Sequence, residues 1–233
     1  MSRPSARAPE AIPAPGVVRR WSRPLDGLRR RLAVMPPGPG SEPRSDVTDR
    51  FRAACRELTA PSVLELGTLR SQPDRSTMHR DWVPHAREFL GTDITAGPDV
   101  DLVADAHALS QVTGAERFDA IISCSTFEHF KYPHLAAHEV MRALTVGGLL
   151  FVQTHQSFPL HGYPSDYFRF SREALASLFP AAMGFEVIAA GYDFPARIYS
   201  HEDRFSHLHP AFLNTALYGR KVAPTPDEHR YEL

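Results

Sequence analysis

Four ionisable side chains stand directly behind apolar runs, where layered sheets present their reactive groups: Asp93, Asp105, His129 and His155. Asp93 closes the run Phe-Leu-Gly-Thr-Asp, 26 residues after Gly67. A carboxylate behind a second strand, roughly 20 or more residues past a first turn, accepts both hydroxyls of a ribose. Asp105 follows an apolar run at 100–104 and precedes Ala106. It is able to accept the amino group of an adenine ring, with the small Ala106 leaving room for the ring face. His129 and His155 follow two later runs, and an imidazole takes up a proton near neutral pH. The set points to an adenosine-type ligand on one side and proton transfer on the other.

Such groups need a sheet to carry them. The stretch 62–71 reads Ser-Val-Leu-Glu-Leu-Gly-Thr-Leu-Arg-Ser, a short buried strand that breaks at Gly67. A glycine there lets the chain turn sharply and brings bare backbone close to a ligand. Further strands are expected over 89–94, 100–104, 118–123 and 149–153. The run at 118–123 is almost wholly apolar, the mark of a strand buried on both faces. Val47, Phe51, Ala54 and Leu58 recur at helical spacing behind Ser45 or Asp46, and Pro61 stops that helix. A loop and helix are expected within 70–84. Leu135, Met141 and Leu144 mark a helix that stops at Gly147 and Gly148. After a helix over 172–178, strands are expected at 185–190 and 212–221. The roughly 20 residues between these two carry no helical pattern, which predicts an antiparallel final strand with a functional insertion. Strands alternating with helices at this interval define an α/β fold, a doubly wound parallel sheet with helices on both faces.

The chain has 233 residues, 42% of them hydrophobic and 23% charged, enough for one sizeable core plus extensions. The net charge is −1, but residues 1–45 hold nine arginines against three acids, so the rest of the chain has a net charge of −7. That region reads as an arm rich in proline and arginine. Trp21, Leu25, Leu28 and Leu32 recur in it at helical spacing, a short basic amphipathic helix suited to an anionic membrane or a partner, to its own domain, or to a homodimer contact. The expected organisation is an arm over 1–45, one domain over 46–222 and a tail over 223–233. An acidic domain argues against nucleic acid as substrate. No apolar run approaches the ~18 residues of a membrane span. Cys55 and Cys124 have no metal or redox spacing, and a reducing, cytoplasmic compartment fits them.

The series resembles the class I S-adenosylmethionine-dependent methyltransferases. The residues that carry the likeness are Val-Leu-Glu-Leu-Gly at 63–67, Gly-Thr-Asp-Ile at 91–94, Val-Ala-Asp-Ala-His at 103–107, Phe-Asp-Ala-Ile-Ile-Ser at 118–123, Phe-Glu-His at 127–129 and Arg-Ala-Leu-Thr-Val-Gly-Gly-Leu-Leu at 142–150. They occur in the family's order across roughly 46–222. The stretch His-Gly-Tyr-Pro-Ser-Asp-Tyr-Phe-Arg-Phe at 161–170 is similar to a segment of a bacterial subgroup found with sugar and secondary-metabolite pathways. The resemblance implies a seven-stranded sheet with the last strand antiparallel and S-adenosylmethionine as cofactor. It implies Glu65 and Gly67 facing the methionine part, Asp93 on the ribose, Asp105 and Ala106 at the adenine, and Ser123 near the methionine. The first turn departs from the family pattern: Thr68, Leu69 and Arg70 stand where further glycines are usual, and their bulk is expected to narrow the pocket.

Methyl transfer to oxygen needs a base for the acceptor proton, and His155 and, second, His129 are the candidates. His161, Tyr163, Asp166 and Arg169 form a polar-aromatic patch that is either a wall for a hydroxylated small-molecule acceptor or a loop pinned by its own hydrogen bonds. His201, His207 and His209 read as a solvated loop, and no metal is predicted. The competing reading is a non-catalytic binding or scaffold protein on the same fold, its cofactor site degraded by the altered first turn.

Overall fold

The structure, a computed structural model, describes residues 45–72, 74–198 and 209–229, with backbone alone at 209 and 210. The expected helix around Trp21–Leu32, the homodimer contact assigned to it, and residues 201–208 lie outside the described residues.

The first helix, α1 (Val47–Arg56), leads into strand β1 (Ser62–Leu66). Strands β2 (Glu88–Asp93) and β3 (Leu102–Val103) follow, then helix α2 (Leu109–Thr113) and strand β4 (Phe118–Cys124). Helix α3 (Pro133–Ala143) runs straight into β5 (Leu144–His155). Helix α4 (Arg172–Ser177) and strands β6 (Phe185–Ile198) and β7 (His209–Lys221) complete the domain. The seven strands lie in the order β3-β2-β1-β4-β5-β7-β6. Those from β3 to β5 are parallel, and β7 runs antiparallel between β5 and β6.

Strand pleating explains the unbroken apolar runs. Leu64, Ile121, Leu150, Val152 and Leu217 pack on one face with α2, α3 and α4, while their neighbours Val63, Ala120, Ile122, Phe151 and Tyr218 pack on the other under α1. Period-2 alternation thus feeds two cores from one set of strands. Cys55 is buried in the second, where burial pushes its thiol up to about 12, so it behaves as a small apolar residue.

Several expectations are corrected. The segment 70–84 contains no α-helix among its described residues, only a short 3-10 turn at Arg80–Trp82. Its residues are mostly polar and lack an apolar period, so a helix there would have had no face to bury. The third strand shrinks to two residues, and the fifth begins five residues earlier than expected. The insertion foreseen between the last strands is largely a β-ribbon: β6 and β7 stay paired as far as Ile198 and His209. Prolines hid this extension. Pro195 lies on β6, an outer strand where a missing N–H is tolerated.

The domain's ends are also fixed by bonds. Ser45 donates its N–H to the Tyr192 carbonyl and its hydroxyl to Asp193. Past the expected boundary at 222, Thr225 donates to the Met141 and Met183 carbonyls and Asp227 pairs with Arg142. Lys221, just before them, is buried and donates Nζ to the Met141 and Leu144 carbonyls at the end of α3. That is a cation placed where a helix end leaves carbonyls unmet.

Candidate active site

Strand order reverses between β1 and β4, and a cavity of about 450 Å³ opens at the carboxyl ends of the strands there. That volume lies within the ~300–1,000 Å³ usual for small-molecule sites. Gly67, Asp93, Asp105 and Ala106 line it, as do Thr126, His129, Gly162 and Ser165. A larger hollow of about 590 Å³ beside β6 is apolar, with Glu186 as the one ionisable lining residue, and offers no chemistry.

Each cofactor-side residue is placed by its strand. Gly67 sits one residue beyond β1 with φ +74°, and a Cβ there would lie 2.2 Å from Thr126 Oγ1. Glycine is required at this point, both by the dihedral and by the close approach of the chain after β4. Asp93 ends β2 and accepts N–H bonds from Thr95 (3.0 Å) and Leu69 (3.3 Å), which fix its carboxylate at the rim. Asp105 accepts from the His107 backbone N–H and from its Nδ1 through a single oxygen, Oδ1. Those bonds, the backbone one foremost, hold the Asp105 carboxyl below its usual range.

The bulky first turn does not close the site. Arg70 is drawn aside by a two-pronged pair with Asp99 at 2.7 and 2.9 Å, and Thr68 donates to the Asp99 carbonyl. Leu69 alone of the three lines the cavity.

Two cofactor-side assignments change. Glu65 does not line the cavity. It is buried and accepts from His79 through the backbone N–H (2.9 Å) and Nδ1 (2.6 Å). Pleat parity puts it on Val63's face of the sheet, the face on which Trp82 and Val83 pack. Ser123 is fully buried inside β4 and also does not line the cavity; Ser125 and Thr126, just beyond the strand, do.

The histidines gather around Glu128, a residue that no role had been assigned. It sits in the 3-10 turn Phe127–His129 that follows β4 and is 0% exposed. Thr154 donates to its Oε2 at 2.6 Å. Three imidazole Nε2 atoms surround its Oε1: His155 at 3.0 Å, His129 at 3.8 Å and His161 at 3.8 Å. None of them hydrogen-bonds it, and among the described residues Oε1 has no hydrogen-bond partner. His155 pairs across β5 and β7 with Asn214, donating Nδ1–H to Asn214 Oδ1 at 2.9 Å. Burial pushes the His155 imidazole down, against the pull of Glu128 and Asn214. Of the two candidate bases, His129 lines the cavity and His155 stands behind it.

The 161–170 stretch is shaped from within. Arg169 holds Asp166 at 2.6 and 2.9 Å and also donates to the Phe158 and Pro159 carbonyls. The Asp166 side chain is 1% exposed, and Arg169 holds its carboxyl well below the usual range. These two residues form the loop's frame instead of an open wall. The loop docks on the Glu128 turn through the Tyr167 and Phe168 N–H groups and carries His161 and Gly162 to the site. A Cβ on Gly162 would lie 2.7 Å from the His129 ring. Tyr163 is exposed, available to a ligand but bonded to none of these groups.

Comparison with known proteins agrees with this geometry. Residues 77–152 match a family model described as a methyltransferase domain. A methyltransferase from Archaeoglobus fulgidus shares the fold with a TM-score of 0.54 at 13% identity, over 75% of this chain and 93% of that one. A Bacillus halodurans protein proposed to be a methyltransferase gives 0.56 at 14% identity, over 78% of this chain and 100% of that one. The 1,6-didemethyltoxoflavin-N1-methyltransferase of Burkholderia thailandensis, solved with its substrate and S-adenosylhomocysteine, gives 0.52 at 14%, over 76% of this chain and 77% of that one. No curated protein sequence matches the chain. Seven strands in this order carry, at their carboxyl ends, a cavity lined by Gly67, Asp93 and Asp105. Across residues 77–152 the chain matches a methyltransferase domain, and its fold is that of solved S-adenosylmethionine-dependent methyltransferases.

Proposed function

We propose that the protein transfers the methyl group of S-adenosylmethionine to a hydroxyl of a small molecule, a sugar or a secondary metabolite. The observation that carries this reading is one cavity lined both by nucleoside-type acceptors, Asp93 and Asp105, and by a histidine, His129. When bound, the cofactor supplies an electrophilic methyl carbon on a sulfonium and leaves as a neutral thioether.

The chain's own groups do the rest. Asp93 accepts the ribose hydroxyls, and Asp105, with Oδ1 already occupied by His107, offers Oδ2 to an adenine amino group. Ala106 leaves space for the ring, and the bare backbone at Gly67 admits the methionine part. His129 donates Nδ1–H to the Ser165 carbonyl, which leaves Nε2 to take the acceptor proton. His155, first in rank from sequence, is set behind the wall and serves Glu128. His161 and Tyr163 remain the acceptor-side contacts of the loop. A small acceptor is favoured over nucleic acid because the chain outside 1–45 is acidic. The scaffold reading loses its main support, since Arg70 is turned onto Asp99.

The test is calorimetric titration of the purified chain with S-adenosylhomocysteine, followed by transfer of labelled methyl to a panel of hydroxylated compounds. Micromolar binding and label in an O-methyl product are expected. A folded chain that binds neither cofactor form would return the scaffold reading, and label on nitrogen or carbon would overturn the choice of acceptor atom.

A further inference from the structure

Glu128 presents a problem that the methyl-transfer reading does not solve. A carboxylate removed from water costs several kcal/mol unless it is well paired. Thr154 meets Oε2, but Oε1 is left without a donor amid three imidazoles. The reason lies on the far side of each ring. His155 gives its Nδ1–H to Asn214 Oδ1, His161 to the Pro159 carbonyl and His129 to the Ser165 carbonyl. With Nδ1 carrying the proton, each neutral ring turns a lone pair at Nε2 toward the region of Oε1. Four electron-rich atoms then meet, with no hydrogen-bond donor to Oε1 among the described residues.

Those outer bonds are the ones metal-binding histidines make, since a ligating ring usually gives its other N–H to a carbonyl or carboxylate. Glu128, His155 and His161 each offer one ligand atom, and these atoms all lie within 4.8 Å of one another. Bonds of ~2.1 Å to a tetrahedral ion put its ligand atoms about 3.4 Å apart. The observed 3.0 and 3.8 Å from Oε1 to the two nitrogens bracket that separation. The 3.0 Å contact without hydrogen-bond alignment also fits, because two ligands of one ion aim at the ion and not at each other.

We propose that Glu128, His155 and His161 bind one divalent first-row transition-metal ion through Oε1 and the two Nε2 atoms. Two imidazoles and a carboxylate suit zinc, cobalt, manganese or iron(II), and not magnesium, which prefers oxygen. This departs from the sequence expectation of no metal. Three protein ligands leave positions open for an oxygen ligand, and His129 belongs both to this cluster and to the cavity wall. The ion thus stands beside the place where an acceptor hydroxyl is expected, able to hold it and lower its pKa. Its use in catalysis rests on the methyltransferase reading; its binding rests on these residues alone.

The experiment uses the full chain without an affinity tag, stripped with chelator and titrated with cobalt(II), then zinc(II). Visible absorption and elemental analysis report the ion, circular dichroism reports folding, and S-adenosylhomocysteine titration runs in parallel. One cobalt per chain with ligand-field bands, displaced by zinc and not by magnesium, is expected. His161→Ala, on a loop, and the isosteric Glu128→Gln should each weaken it by roughly 100-fold. His138→Ala, outside the cluster, should leave it unchanged. A folded wild-type chain that binds no cobalt, or variants that bind it equally, would overturn the proposal and put a proton between His155 and Glu128 instead. If Glu128→Gln does not fold, His161→Ala decides. Cobalt binding without S-adenosylhomocysteine binding would uphold the ion and sink the cofactor role; the reverse would do the opposite.

Discussion

The two sides of this site are built on opposite plans. On the cofactor side, Asp93 and Asp105 each accept a bond from a residue two positions away, with one longer-range bond from Leu69 to Asp93, and both line the cavity. On the histidine side, the polar groups come from distant strands and turn inward on one carboxylate. Glu128 meets Thr154 and His155 from β5 and His161 from the following loop, and Asn214 of β7 holds His155 in turn. Local bonding presets acceptors for a ligand that arrives and leaves. Long-range bonding around a buried charge suits something that stays.

The largest effect should come from breaking the cofactor side at its turn. Gly67→Ala forces a Cβ against Thr126 and a side chain into positive φ. Overpacking of this kind costs about 1–3 kcal/mol, with backbone strain added. Denaturant unfolding should show a loss of about 2–4 kcal/mol, and S-adenosylhomocysteine affinity should fall by at least tenfold. Unchanged affinity would mean that the turn does not set the cavity's shape.

Next in size is Asp93→Asn, which keeps the side chain's shape and removes its charge. A lost charged hydrogen bond is worth about 1–3 kcal/mol, or roughly 10- to 100-fold in cofactor affinity. Cobalt affinity should stay within about twofold, because Asp93 is bonded to none of the cluster. Equal losses in both titrations would show the two sides to be one coupled unit and would erase the contrast.

That contrast also explains what could be read from the sequence. Gly67, Asp93, Asp105 and Ala106 were legible because each closes or follows an apolar run, and strand ends in a doubly wound sheet converge on one place. The sheet itself was legible because Phe118–Cys124 and its neighbours feed two cores by alternation. Glu65 does not line the cavity where it was expected, and its parity with Val63 was available as a signal. Glu128 was hidden because its partners Thr154, His161 and Asn214 come from three later segments, and no local spacing records their meeting. Only its place beside His129 hinted at it. Asp166 and Arg169 left both readings open, a ligand wall or a self-pinned loop, because three-residue spacing cannot tell an outward pair from one that closes on itself. The β-ribbon beyond Ala190 was obscured by Pro195 and Pro210, which interrupt a strand pattern without preventing an outer strand.

The smallest effect probes how each side is latched. Arg70 holds Asp99 at about 2, below its usual 3.8, through hydrogen bonds reinforced by Ser76 and opposed by burial. In the folded chain this carboxylate keeps its charge where the unfolded chain's has taken a proton. Its contribution is therefore fully present above the unfolded value and is lost as pH falls from about 4 through about 2. Asp166, on the other side, is paired with Arg169 under cover and held still lower, so the Arg70 latch should titrate first. Arg70→Met should flatten the fall in stability between pH 4 and 2, measured by urea unfolding at stepped pH, and added salt should mimic part of the change. An acid slope equal to that of the parent chain would mean that Arg70 leaves Asp99 unperturbed and that the first turn is held by the Thr68 bonds alone.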